Sequence, residues 1–277
     1  MTSPARALAI LDLFSEEHPV WHTDDINESL GYTRATGYRY VKDLVEAGFL
    51  QKVGAGRYSL GARIIELDYQ LRRSDPVLLA AVPVLDALAR KARVDAVLST
   101  IFGSRLVDTY RASADPTLEL GYGRGRPRPL FLGAAPKVIL ACMPRARLLK
   151  IYESFEHEVA GSGLGKSWPE FRERLTEIRN QGFYWSRGEL ERGVSGLAVP
   201  LFNADGDVAA AMALVGLSEP LEILGERRMR SLLQSARDDI QARIAQGVRL
   251  PSSLLRAERA ASKNAKSARQ RRGTTVA

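Results

Sequence analysis

The sequence contains a single cysteine, Cys142, among its 277 residues. One cysteine excludes an internal disulfide bond and any zinc site built from several cysteines. The three histidines, His18, His22 and His157, are widely spaced and offer few ligands for any other zinc site. These absences predict a cytosolic protein that is kept reduced and has no structural metal or other cofactor.

Long hydrophobic runs are also absent. No apolar stretch approaches the roughly 18 residues that a membrane span requires. The N-terminal sequence lacks the basic start and the small-residue cleavage site of a signal peptide. With 45% hydrophobic and 26% charged residues, the composition is that of an ordinary globular protein. We therefore expect no membrane association, and the length favours two domains.

The net charge of +8 is concentrated at the C-terminus. Residues 251–277 contain seven basic residues and one acidic residue, and their low apolar content predicts a disordered basic tail. Residues 1–62 contain six basic and eight acidic residues. Overall charge therefore does not indicate nucleic-acid binding, and only the positions of the charges can do so.

The first 62 residues have the pattern of three short helices followed by a β-hairpin. Apolar residues at helical spacing predict a first helix over residues 5–17. Early acids and a final Gly31 predict a second helix in "DDINESL". Thr33 can cap a third helix that Gly48 closes, and "FLQKVGAGRYSLG" predicts a hairpin around "GAG". This order predicts a winged helix-turn-helix DNA-binding domain over residues 1–62.

The third predicted helix has two contrasting faces. Its buried stripe is predicted from the helical spacing of Gly37, Tyr40, Val41 and Leu44. The opposite face carries hydroxyl and basic side chains and no acid before Asp43. Arginine and threonine near the start of such a helix can contact base edges, and the later side chains suit phosphates. The residues predicted to contact DNA are Thr33, Arg34, Ala35, Thr36, Tyr38, Arg39 and Lys42 of the helix and Arg57 of the hairpin.

Two alternatives remain for this surface. Cations on an exposed helix face are common, so the face can simply be solvated. The winged domain can also serve only for dimerisation, in a metabolite sensor or an enzyme. Most acids of residues 1–62 lie on the first two helices, and DNA binding tolerates them if those faces point away from the duplex.

The remainder of the chain predicts an α+β domain with an antiparallel sheet. A linker helix is predicted at 63–75, and the domain is predicted to span 76–250, with its first helix restarting at Pro83. Alternating strand patterns and helices follow, ending in one helix over about 221–246. Strands are predicted in "DAVLSTIFG", "RLVDTYRAS", "TLELGYG", "GFYW", "GLAVPLF" and "VAAAMALVG".

Three segments in this order resemble the IclR family of bacterial transcriptional regulators. The first is "RALAILDLFSEEHPVWHTDDINESLGYTRATGYRYVKDLVEAGFLQKVGAGRYSLGARIIEL". The second is "RPLFLGAAPKVILA", where the family usually has a small-small-Gly-Lys helix start. The third is "GFYWSRGELERGVSGLAVPLFNADGDVAAAMALVG", with a glutamate, Gly-Val, an apolar strand, a D-G turn and another strand. The similarity covers residues 3 to about 247.

The resemblance implies a transcriptional repressor or activator whose C-terminal domain has a GAF-like or profilin-like fold. That domain would bind a small organic acid. Homodimers, often paired into homotetramers, would form through the N-terminal domains and linker helices on palindromic operators. By position, the effector pocket would be lined by Gly133, Ala134, Ala135, Ser186, Val194, Gly196, Ala213 and Val215.

The chain departs from the family at this pocket. Relatives often have Asp, Cys or Ser on the pocket strands, whereas this chain has mostly small or apolar residues, and Pro136 replaces a usual glycine. We therefore expect a roomier, less polar cavity and a larger carboxylate, such as an aromatic acid. The alternative is a repacked pocket that binds nothing. Arg126 or Arg128 is expected either to be solvated or to face an anionic effector at the pocket mouth.

Overall fold

The computed structural model describes residues 2–114 and 123–247. The chain divides into two units between Ser74 and Asp75. Most of the predicted strand "TLELGYG" and the whole predicted tail at 251–277 lie outside the described residues. In the described ranges, none of the helices is long and apolar enough to cross a membrane.

The first unit combines short helices with a small antiparallel sheet whose strand order is β1-β3-β2. Its elements are α1 (Ser3–Ala9), a 3-10 turn (Leu11–Leu13), β1 (Trp21–His22), α2 (Thr23–Leu30), α3 (Arg34–Glu46), β2 (Leu50–Gly54), β3 (Arg57–Leu60) and α4 (Arg63–Ser74). The predicted winged helix-turn-helix is confirmed, and β1 adds a third strand to the predicted hairpin.

The first helix is shorter than predicted. The expected helix over 5–17 ends at Ala9 and gives way to a 3-10 turn. The carbonyl of Leu13 accepts a hydrogen bond from Trp21 Nε1 at 2.9 Å, and Ser15 Oγ accepts one from the N–H of His18. These side-chain contacts turn the chain where apolar periodicity alone would continue the helix.

Glycine and threonine at the ends of the next two helices act as predicted. Gly31, with φ of 64°, ends α2 in the left-handed region that favours glycine. Thr33 caps α3, because its Oγ1 accepts the N–H of Thr36 at 3.3 Å. The tight turn between α2 and α3 therefore follows directly from local residues.

The predicted buried stripe of α3 is confirmed, and Gly37 lies at its closest approach to α2. A Cβ at Gly37 would lie 1.5 Å from Oδ1 of Asn27, a side chain that is itself buried. Glycine in a helix interior costs about 1 kcal/mol relative to alanine. The Asn27 side chain occupies the space where a Cβ at Gly37 would lie. Glycine is therefore required at this position despite its unfavourable helix propensity.

The second unit contains six described strands in one antiparallel sheet, in the order β6-β5-β4-β9-β8-β7. The strands are β4 (Asp95–Phe102), β5 (Arg105–Ala112), β6 (Pro127–Arg128), β7 (Tyr184–Arg187), β8 (Val194–Phe202) and β9 (Val208–Leu217). The helices are α5 (Pro76–Ala92), α6 (Ala134–Cys142), α7 (Arg145–Ser154), α8 (Glu156–Gly161), α9 (Trp168–Gln181), α10 (Ser218–Leu224) and α11 (Glu226–Ala245). The predicted α+β class with an antiparallel sheet is confirmed.

The central strands are buried on both faces because helices cover each side of the sheet. Along β9, Ala211, Ala213 and Val215 pack in the core that contains α6 and α9. The intervening Met212 and Leu214 pack in the core that contains α5 and α11. This alternation makes the strand sequences almost continuously apolar and sends every second side chain toward α6.

Two helix boundaries in this unit differ from prediction. Helix α5 begins at Pro76, capped by Asp75, and continues through Pro83 instead of restarting there. Its mostly apolar side chains are packed in the core, which offsets the loss of one backbone hydrogen bond at Pro83. The single helix predicted over 221–246 is two helices, broken at Gly225 with φ of 77°.

Replacing Gly37 with alanine tests its contact with Asn27. We expect Gly37→Ala to lower the stability of the first unit by ~1–3 kcal/mol, because the new Cβ overlaps the Asn27 amide. In an Asn27→Ala background the same substitution should instead stabilise α3 by up to ~1 kcal/mol, because only helix propensity then acts. Native-state hydrogen exchange of the α3 amides measures both values. An equal loss in both backgrounds would contradict the contact.

Candidate nucleic-acid interface and ligand cavity

The start of α3 presents the predicted hydroxyl and basic residues on one continuous segment. Thr33, Arg34, Ala35, Tyr38, Arg39 and Lys42 are exposed, and Thr36 is half-buried. The Arg34 side chain is 87% exposed. The hydroxyl of Thr33 donates to Thr36 Oγ1 at 2.9 Å and also accepts the Thr36 N–H, so these two threonines interact with each other at the helix start. The cations of this face are available to an anionic partner.

The hairpin is connected to the start of α2 through His22. A Cβ at Gly56, in the hairpin turn, would lie 2.4 Å from His22 Nε2, and φ of 67° also favours glycine there. On the other side of the ring, His22 Nδ1 accepts the N–H of Asp24 at 3.2 Å. Arg57 is exposed at the start of β3, paired in register with His22. The hairpin that carries Arg57 is therefore packed against the helical part of this unit.

Two acids lie close to the basic side chains of α3. The Asp24 carboxylate lies 3.5 Å from Arg34 Nε, and Glu46 lies 3.6 Å from Lys42 Nζ. Asp24 of α2 therefore does not point away from this surface of α3. Because both pairs are largely exposed, each contributes little to stability and leaves the cations able to bind phosphate.

A cavity in the second unit lies between the sheet and the start of α6. It is lined by Arg128, Gly133, Ala134, Ala135, Ser186, Leu190, Glu191, Val194, Ser195, Gly196, Ala213 and Val215. The structure thus places all eight residues predicted for the effector pocket around one cavity. Four further residues line the cavity: Arg128, Leu190, Glu191 and Ser195. Of these, only Arg128 is named from the sequence as a residue that can face an effector.

Strand register explains why distant residues meet at this cavity. Ser186 of β7 pairs with Gly196 of β8, and Gly196 pairs with Val215 of β9. These three residues form a row across three neighbouring strands. A Cβ at Gly196 would lie 3.4 Å from the Val215 side chain, so glycine keeps the middle of the row open.

The cavity is small, and its lining includes polar and charged side chains. Its volume of about 20 Å³ is room for about one water molecule. Leu190 and Glu191 from the β7–β8 loop also line the space, so the small side chains of the strands do not by themselves determine its size. The expectation of a cavity roomier and less polar than those of relatives stays a prediction. Arg126 is exposed as expected of a solvated arginine, whereas Arg128 is buried in the cavity wall.

Arg128 forms a buried ion pair next to the cavity. Its Nη1 lies 2.9 Å from Asp108 Oδ1, and the two side chains are 5% and 1% exposed. Ser99 Oγ donates to the same carboxylate oxygen at 2.6 Å. The Nη2 atom would lie 3.2 Å from a Cβ at Gly133, which places the guanidinium beside the start of α6. The pair therefore fixes a cation at the place where a bound anion would also meet the helix N-terminus.

Glu189 of the β7–β8 loop reaches across to α6 at the rim of this region. Its Oε2 accepts the Gly133 N–H at 3.0 Å and lies 2.7 Å from Lys137 Nζ. Its Oε1 accepts the Tyr184 hydroxyl at 2.8 Å. Burial raises the pKa of Tyr184, and the hydrogen bond to Glu189 raises it further, so this hydroxyl remains a donor. A protein carboxylate thus caps α6 and neutralises Lys137, which is only 3% exposed.

Glu189 and Lys137 were not predicted as site residues. The sequence shows a glutamate before Gly-Val and a lysine after the small residues of α6, but it does not show that they meet. They are 52 positions apart in the chain, and their contact depends on the tertiary fold.

Family models match both units of the chain. Residues 71–242 match the model described as "Bacterial transcriptional regulator IclR C-terminal", and residues 3–54 match the "IclR helix-turn-helix domain". The HTH-type transcriptional regulator XynR of Escherichia coli is 28% identical over 84% of this chain and 93% of its own length.

Solved structures share the fold across nearly the whole described chain. A putative IclR transcriptional regulator from Silicibacter sp. TM1040 matches with a TM-score of 0.73 and 24% identity, covering 88% of this chain and 96% of that one. An IclR homologue from Microbacterium hydrocarbonoxydans, complexed with 4-hydroxybenzoate, matches with a TM-score of 0.69 and 20% identity, covering 89% and 100%.

Removing the carboxylate of the buried ion pair tests its role in the cavity wall. Asp108→Ala should lower the free energy of unfolding by ~3–5 kcal/mol, because the Arg128 charge then loses its buried counter-charge. The double variant Asp108→Leu with Arg128→Met should recover most of that loss, because no buried charge remains. Urea unfolding measures both. A single variant as stable as the double variant would contradict this account.

Proposed function

The chain belongs to the IclR family of bacterial transcriptional regulators and is a DNA-binding regulator rather than an enzyme, and we propose that a carboxylic acid bound in the cavity controls its affinity for operator DNA. The proposal joins two surfaces in different units of the chain. The observation that carries it is the cavity wall, where Arg128 and the start of α6 lie side by side.

The proposed DNA contacts come from the exposed face of α3 and from the hairpin. Arg34 lies at the first position of α3, where a side chain of a recognition helix can reach base edges in the major groove. Tyr38, Arg39 and Lys42 follow at positions suited to phosphate contacts. Arg57 in the hairpin would contact an adjacent phosphate or the minor groove.

The cavity offers two kinds of donor to a carboxylate. The first N–H groups of a helix have no intrahelical acceptor, and Ala134 and Ala135 supply such groups at the cavity. Arg128 adds a guanidinium that is held in place by Asp108. Apolar Val194, Ala213 and Val215 line the other side and suit the hydrophobic part of the acid.

We propose an aromatic monocarboxylate as the effector class. The small side chains on the pocket strands leave space for a ring once the β7–β8 loop moves away. The related fold of the 4-hydroxybenzoate complex from Microbacterium hydrocarbonoxydans supports this class, since that protein holds an aromatic acid.

We also propose that the protein binds a palindromic operator as a homodimer, which can pair further into a tetramer. Two-fold symmetric operators require two recognition helices related by the same symmetry. Helix α4 leaves Ile65, Tyr69 and Leu71 exposed at 73%, 61% and 53%, and α1 leaves Leu8 exposed at 53%. These apolar side chains in the first unit suit a dimer contact.

Alanine substitutions on α3 test the DNA contacts. Arg34→Ala should weaken binding to the protein's own upstream DNA by roughly tenfold or more, because a bidentate base contact contributes ~1–3 kcal/mol. Arg39→Ala removes a proposed phosphate contact and should weaken binding to all sequences alike. Lys42→Ala should weaken binding to all sequences alike and reduce the log–log salt slope by about 0.9. Fluorescence polarisation at several salt concentrations measures both effects.

The control for this experiment is Arg145→Ala, which removes an exposed cation from α7 in the other unit. It should leave binding and slope unchanged. Undiminished binding by the α3 variants would favour a winged domain that serves only for dimerisation.

A panel of small molecules tests the effector class. We expect 4-hydroxybenzoate or benzoate to change operator affinity at least about fivefold, as is typical of allosteric coupling. The neutral 4-hydroxybenzamide should have no effect, because it cannot pair with Arg128. Polarisation titrations and thermal shift with the same compounds provide the measurements. Responses to glyoxylate or pyruvate without any response to an aromatic acid would reject the proposed class.

A further inference from the structure

The loop that joins β7 to β8 lies over the cavity. Leu190 and Glu191 of this loop line the cavity and are half-buried there. The loop is bounded by Gly188 and Gly193, whose φ angles of 65° and 82° lie in the left-handed region. Glycine at both ends allows the backbone to rotate with little steric cost, as at the hinges of moving loops.

Glu189 holds this loop against α6. Its carboxylate accepts hydrogen bonds from the Gly133 N–H and the Tyr184 hydroxyl and pairs with Lys137. Lys137 is almost fully buried, and its Nζ also lies 3.2 Å from the Tyr184 hydroxyl oxygen and over the Tyr184 ring. A charge-assisted contact of this kind, shielded from solvent, is stronger than an exposed ion pair.

The cavity under the loop has room for about one water molecule. A ligand with several non-hydrogen atoms does not fit in this space, and Leu190 and Glu191 are the loop residues that line it. We infer that residues Gly188–Gly193 form a lid and that Glu189 is the latch that keeps it closed in the absence of ligand. This inference rests on the proposed function only in assuming that the cavity receives an effector.

The latch makes lid opening depend on ligand charge. When Glu189 leaves, the ammonium of Lys137 and the N–H of Gly133 lose their shared acceptor in a buried place. An unpaired buried cation is unfavourable, so a neutral ligand does not compensate for the lost contact. A ligand carboxylate at the start of α6 restores negative charge close to both groups. Anionic ligands therefore stabilise the open lid better than neutral molecules of the same shape.

Hydrogen exchange of the ligand-free protein tests the latch directly. Glu189→Gln keeps a hydrogen-bond acceptor and the side-chain shape but removes the charge that pairs with Lys137. In this variant we expect the amides of Gly188 and Val194, which are hydrogen-bonded to Val194 O and Glu191 O, to exchange at least tenfold faster than in the wild type. Tyr184→Phe removes a single donor to Glu189 and should give a smaller increase.

The matched control is Glu173→Gln, which neutralises an exposed carboxylate on α9. Its lid amides should exchange at the wild-type rate, and amides of β9 should be unaffected in all three variants. Wild-type exchange rates in both Glu189→Gln and Tyr184→Phe would overturn the latch. Faster exchange throughout the second unit would also overturn it, because Glu189 would then act in general folding.

Acetate and acetamide provide a second test that does not require the effector. Glu189→Ala vacates the place of the carboxylate beside Lys137. Millimolar acetate should raise the melting temperature of this variant by more than acetamide does, and neither should change that of the wild type. Equal effects of the two molecules would overturn the charge argument. If exchange confirms the latch but no acid changes operator binding, the proposed function is rejected while the inference of a lid held by Glu189 stands.

Discussion

Burial of the sheet on both faces is the constraint that determines where a ligand can bind in the second unit. The cores on the two sides consist of apolar side chains alternating along the same strands. A covering helix that begins at the sheet presents N–H groups without intrahelical acceptors, and such a place suits a polar molecule. Helix α6 begins opposite the row of Ser186, Gly196 and Val215, and the cavity lies there.

The two buried cations beside the start of α6 each have a carboxylate partner. Asp108 pairs with Arg128, and Glu189 pairs with Lys137. The two pairs differ in what carries their carboxylates, because Asp108 lies on strand β5 whereas Glu189 lies on a loop between glycines. In the proposed lid, the pair on the strand stays in the cavity wall and the pair on the loop separates.

Local residues were sufficient to predict α2, α3 and the hairpin of the first unit, whereas its first helix ends earlier than predicted. Long-range packing limited the prediction of the second unit. The cap at Thr33, the stripe of α3 and the end of α2 at Gly31 depend on neighbouring residues, and the structure has them as predicted. A helix start was predicted at Pro83, but α5 continues through this proline because burial of the helix outweighs the local helix-breaking preference of proline. The family pattern predicted eight residues that line one cavity, but the hydrogen bond between the Gly133 N–H and Glu189 joins positions 56 apart, which no local pattern indicates.

The Asp24 carboxylate beside Arg34 has a kinetic consequence for the proposed regulator. Phosphates of every duplex repel this acid to a similar extent, whatever the base sequence, whereas only the operator offers base contacts that offset the repulsion. This repulsion shortens residence on every duplex, and base contacts lengthen it on the operator alone. A regulator that binds DNA through this surface, as proposed, would leave wrong sites soon and spend a larger share of its search scanning new ones.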